Sequence, residues 1–152
     1  MTAIAWDGRY LASDSLVCYG SSRGSAPFKK IRTCDGVAYA LTGSSALFEP
    51  MITWIQSGAH PSDKPICSDE HAKTLLLVFR DNRCFGYRAD LPYPDEFSAP
   101  DAWGVGADFA IGAMEAGKNA VEAVEIAIRR EVYTGGPVEF IDLHELQKAE
   151  AV

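Results

Sequence analysis

The chain has 152 residues, a one-domain length by the usual range of about 100–200. Hydrophobic residues make up 47% and charged residues 23%, which excludes a disordered tail, a collagen and a coiled coil. The net charge is −7, and no Lys/Arg cluster exceeds a dipeptide, so nucleic acid and anionic membrane surfaces are poor partners.

In chain order, residues 2–6 and 9–12 read as the arms of a hairpin around Asp7-Gly8, the two residues expected to carry the turn's positive φ. A strand beginning at residue 2 leaves no arm before it. A Gly/Ser-rich loop follows, then Phe28–Arg32, a turn at Asp35-Gly36, and the apolar run 37–41, which fits a strand covered on both faces. Gly43-Ser44-Ser45 opens a helical pattern through Leu47, Phe48, Met51, Ile52 and Ile55, in which Pro50 marks a kink or a later true start. Residues 58–71 read as loop, 74–79 and 83–88 as a second hairpin, and 91–100, with three prolines, as an irregular connection.

Ala102–Gly106 reads as a short strand ending in a glycine turn. Two helices follow, the first capped by Asp108 and the second by Asn119, with Val121, Val124, Ile128 and Val132 as an apolar stripe. Gly135-Gly136-Pro137 stops that helix, residues 138–143 alternate as a strand, and the polar tail from 144 to 152 is helix-prone and expected to fray. Strands and helices come in blocks, which points to a single α+β domain over 1–152 with antiparallel sheets.

The longest aliphatic or aromatic run, Leu75–Phe79, is far short of the about 20 residues a bilayer requires, and no signal peptide is visible. Cys18, Cys34, Cys67 and Cys84 form no C-x-x-C, and His60, His71 and His144 stand alone, so a metal site is not expected. The cysteines read as reduced thiols in a cytoplasm. Gly104-Val105-Gly106 with Phe109 lacks the third glycine of a dinucleotide fingerprint and reads as a tight strand-to-helix turn.

Thr2 carries the sharpest chemistry. An initiator methionine before a small residue is normally trimmed, which leaves Thr2 with a free α-amine beside its own hydroxyl. Such an amine has a pKa of about 7.7–8.0 and can take the hydroxyl proton, so one residue supplies nucleophile and base.

The series T-A-I-A-W-D-G-R-Y-L-A-S-D-S, F-K-K-I-R and A-L-T-G-S-S, followed by W-G-V-G-A-D-F and R-E-V-Y-T-G-G-P-V-E-F-I, resembles the proteasome β-subunit and HslV-type peptidases, which are N-terminal-nucleophile hydrolases. The resemblance spans roughly residues 2–143. It implies a four-layer αββα sandwich and a threonine endopeptidase acting on peptides or unfolded proteins. It also implies assembly into a homo-oligomeric ring and admits an unfoldase ATPase partner. Thr2 then matches the nucleophile, Asp14 the acid that pairs with a lysine, and Lys30 that lysine, with Lys29 its neighbouring alternative. Gly43 matches the oxyanion donor and Leu41 the wall of the substrate pocket. Glu131 and Thr134 stand where the family has Asp and Ser, and Val105 stands where it usually has a relay Ser. A second helix of the family is missing before Thr74. The competing reading of the same resemblance is a ring-forming protein that kept the sandwich and lost the relay.

Overall fold

The computed structural model describes residues 1–150. The strands are β1 (Ile4–Trp6), β2 (Tyr10–Ser13), β3 (Cys18–Tyr19), β4 (Ser22–Arg23), β5 (Ile31–Cys34), β6 (Val37–Thr42), β7 (Leu75–Arg80), β8 (Arg83–Arg88), β9 (Asp95–Phe97), β10 (Asp101–Trp103) and β11 (Glu139–Asp142). The helices are α1 (Phe48–Gln56), α2 (Ala107–Glu115), α3 (Ala120–Arg130) and α4 (Leu143–Glu150). Strands β10-β1-β2-β11 form one antiparallel sheet and β5-β6-β7-β8-β9 the other, while β3 and β4 make a small separate hairpin.

Side-chain alternation along the strands creates the layers. In β1 and the residue before it, Ala3 and Ala5 face α2 and α3, whereas Ile4 and Trp6 face the opposite sheet. The first interface is built largely of alanines, Ala12, Ala102, Ala110, Ala120, Ala123 and Ala127 among them, so the two helices lie close against the sheet. Between the sheets, Ile4, Trp6, Leu11 and Trp103 meet Ile31, Leu77 and Phe79, and the Trp6 and Phe79 rings meet edge to face with centroids 5.3 Å apart. On the outer face of the second sheet, Tyr39, Leu41, Leu76 and Val78 pack on α1 through Phe48, Met51, Ile52 and Ile55. The result is the expected α+β, four-layer αββα sandwich.

Several local expectations are corrected. The first hairpin turns on Gly8-Arg9 rather than Asp7-Gly8: Asp7 N donates to Tyr10 O, and only Gly8 takes positive φ. Asp7 instead braces the turn, its carboxylate accepting from Arg9 N, Tyr10 N and, across the layer, Ala120 N at the start of α3. Pro50 lies in the first turn of α1, where its missing N–H costs nothing, because the true start is Phe48 after a single 3-10 turn at Ser45–Leu47. The irregular connection contains a strand: β9 pairs with β8 from Cys84↔Phe97 to Gly86↔Asp95.

Helix α2 begins at Ala107 with Gly106 at its cap position, so Asp108 sits in the first turn and its side chain makes no cap bond. Asn119 does cap α3, in a reciprocal box with Glu122. That helix ends at Arg130, which leaves Val132 outside the apolar stripe and exposed. Helix α4 continues directly from β11, so the tail is helical through residue 150; residues 151 and 152 lie outside the described residues.

Candidate active site

The N-terminal residues and the end of β2 are bound together where β1 and β2 finish pairing. Asp14 N donates to Ala3 O, and Ala3 N returns a bond to Asp14 Oδ1 at 2.9 Å. Lys30, just before β5, reaches the same oxygen with Nζ at 2.8 Å and donates to Met1 O at 2.9 Å. Gly135 N donates to the other carboxylate oxygen at 3.2 Å. Asp14 is fully buried and Lys30 is 5% exposed. Burial pulls the Lys30 ammonium below the usual lysine value, and the Asp14 carboxylate opposes that pull. Lys29 is exposed.

Thr2 is buried, and its carbonyl oxygen accepts from Gly106 N at 3.2 Å. Gly104 has φ +95°, and a Cβ there would overlap the Thr2 carbonyl. The glycine turn is therefore built against Thr2 as well as opening α2. Its middle residue, Val105, is 47% exposed.

Gly43 follows β6 with φ +114°, and a Cβ on it would come within 2.6 Å of Thr74 Oγ1 and 2.7 Å of Thr74 Cα. Thr74 Oγ1 accepts from Ser44 N at 2.9 Å, which fixes the corner. Among the described residues, no protein acceptor takes the Gly43 N–H. Thr2, Lys30, Leu41 and Gly43 all line one cleft of about 700 Å³, and Asp14 stands behind Lys30.

Glu131 and Thr134 do not line that cleft. Glu131 follows the last residue of α3, and its carboxylate accepts from Tyr133 N at 3.1 Å. The Thr134 hydroxyl is buried and donates to Glu131 O at 3.1 Å and more weakly to Ala127 O at 3.4 Å. Both side chains are thus engaged within their own turn.

Two contributions were missed from sequence. Thr74 carries no motif, and nothing in Lys73-Thr74-Leu75 announces that its hydroxyl holds a corner 30 residues away. The contact of Gly104 and Gly106 with Thr2 was hidden because a strand-to-helix turn explains those glycines without it.

No family model and no curated protein matches the sequence. Solved structures do match the fold. BPH of Thiobacillus denitrificans in complex with epoxomicin superposes with TM-score 0.69 at 22% identity, over 94% of this chain and 99% of that one. BPH alone gives 0.67 at 22%, over 94% and 98%. Eukaryotic HslV from Trypanosoma brucei gives 0.65 at 18%, over 93% and 98%. The chain has the fold of HslV across nearly its whole length.

Proposed function

We propose that this chain is a threonine peptidase of the proteasome β-subunit and HslV family, acting from Thr2 after Met1 is removed. The observation that carries this reading is the buried Lys30–Asp14 pair, whose Nζ lies 2.9 Å from the carbonyl that Met1 donates to the Thr2 peptide bond. A buried ammonium is costly to hold, and here it is held beside the one residue that can be nucleophile and base at once.

In the reaction, Thr2 Oγ1 attacks the scissile carbonyl and its proton passes to the Thr2 α-amine. The positive charge of Lys30 makes the hydroxyl easier to deprotonate and lowers the amine's affinity for a proton. The oxyanion forms at the Gly43 N–H, which has no competing protein acceptor among the described residues. The C–N bond breaks as the leaving amine takes the proton back, leaving an ester on Thr2. Water, deprotonated by the same amine, then attacks the ester; the C–Oγ1 bond breaks, Thr2 Oγ1 takes the proton back and the acid leaves. Leu41 lines the pocket for the residue before the cut bond. Asp14 and Gly135 N hold the site together rather than touching substrate. Neither metal nor organic cofactor enters these steps.

The family reading carries with it a homo-oligomeric ring in the cytoplasm that encloses the sites, fed with unfolded chains by an unfoldase ATPase. A second reading, a ring-forming protein without activity, is favoured by one observation: Glu131, Thr134 and the half-exposed Val105 provide no relay at Thr2. The two readings separate on epoxomicin, the compound in the BPH complex. The peptidase reading expects a covalent adduct on the Met1-free chain, together with turnover of fluorogenic peptides that Thr2→Ala abolishes. A Met1-free chain that takes no adduct and turns over no peptide supports the inactive ring.

A further inference from the structure

The cleft runs across the ends of three adjacent strands, and its two sides differ chemically. Phe28 and Lys30 lead into β5, Leu41 lies near the end of β6 and Gly43 follows it, and Lys73 and Thr74 lead into β7. The pairings Ile31↔Ala40 and Thr42↔Leu75 fix that lateral order, with the β6 end in the middle. On the β5 side the cleft is lined by Val17, Phe28 and, at its centre, Leu41. On the β7 side it is lined by Glu70, His71 and Lys73. The single charge on the apolar side, Lys30, is already spent on Asp14.

The charged side is built from residues 57–73, the connection from α1 to β7, which contains two single 3-10 turns at Pro61–Asp63 and Asp69–His71 and no α-helix. It is fastened to the frame: Trp54 Nε1 donates to His60 O at 2.8 Å, Cys67 Sγ to Ala89 O at 3.3 Å, and Thr74 N to His71 O at 3.0 Å. Through Thr74, its end is joined to the Gly43–Ser44 corner. The rim therefore has a fixed place relative to the candidate oxyanion donor.

An extended peptide points successive side chains in opposite directions. Laid along this cleft, it presents alternate residues to the apolar side and to the charged side. Burying a charge against Val17, Phe28 and Leu41 is unfavourable, since no free counter-charge faces it there. We propose that Glu70, His71 and Lys73 form a specificity-determining wall, and that the cleft selects extended peptides in which apolar and charged side chains alternate. The inference rests on the peptidase reading for its choice of a peptide as ligand.

The test is binding rather than turnover, using the Met1-free Thr2→Ala protein and fluorescein-labelled decapeptides of Leu and Glu in equal number. One peptide alternates the two residues and the other places them in two blocks, so the repulsion from the net charge of −7 is common to both. The alternating peptide is expected to bind tighter, and Lys73→Glu to weaken it by about threefold, the scale of an exposed charge pair. Glu70→Lys is expected to strengthen it by a similar factor. Both variants lie on exposed side chains. Equal binding of the two peptides, or rim variants that leave the ratio unchanged, overturns the proposal. Epoxomicin labelling of the Met1-free wild-type chain reports separately on the peptidase reading. An adduct with no discrimination between peptides sinks the wall alone, and discrimination with no adduct sinks the chemistry alone.

Discussion

Gly104 stands against the carbonyl of Thr2 so closely that no side chain fits between them, and its backbone holds φ +95°. The turn before α2 therefore sets the position of Thr2. Gly104→Ala forces the two apart and strains the backbone, with an expected loss of at least about 2 kcal/mol in urea unfolding. Gly112, inside α2, meets nothing within 4 Å of an added Cβ. Gly112→Ala is therefore expected to stabilise by about 0.5–1 kcal/mol, and it serves as the control.

The buried pair makes an ordered prediction. Lys30→Met leaves Asp14 buried without its cation, at a cost of about 3–5 kcal/mol. Asp14→Ala removes the same pair and also strands Ala3 N and Gly135 N, each worth about 1–3 kcal/mol when left unmade. Chemical denaturation is expected to rank Asp14→Ala below Lys30→Met, and both below the wild type.

The pH dependence has a definite sign. Burial holds the folded-state pKa of Lys30 below the ordinary value near 10.5. Between those two values the unfolded chain binds the proton more tightly, so this residue's contribution to stability rises with pH across that window. Unfolding free energies measured at steps from pH 7 to 10 are expected to rise in wild type relative to Lys30→Met. A gap that narrows with pH contradicts the assignment.

Thiol chemistry reports on the second sheet. Cys84 is buried, and burial pushes its thiol far above the usual cysteine range. Cys18, Cys34 and Cys67 are half-buried. A thiol reagent applied to the native protein is expected to modify those three and to reach Cys84 only on unfolding.

The layered fold was legible because the apolar arms at 2–6 and 9–12 and the 3.6-period spacing in α1 and α3 survive in the sequence without tertiary help. The β9 strand was not, because Asp95-Glu96-Phe97 has no apolar alternation; its place comes from pairing with β8. Val132 belonged to the helical period but lies beyond Arg130, where the chain leaves the helix for the Gly135-Gly136 turn. At the site, the order of motifs pointed to Thr2, Lys30, Leu41 and Gly43, which line one cleft, to Asp14, which pairs with Lys30 behind it, and to Glu131 and Thr134, which do not line it. Thr74 was invisible because its role depends on the strand register that brings it beside Gly43, and a single sequence does not state register.

The most direct measurement is peptide-mapped mass spectrometry of the protein after exposure to a threonine-directed covalent inhibitor. The account predicts a chain beginning at Thr2 with the added mass on that residue, and no addition to Thr2→Ala. A chain that begins at Thr2 and stays unmodified, while the same inhibitor sample labels a known threonine peptidase, contradicts it.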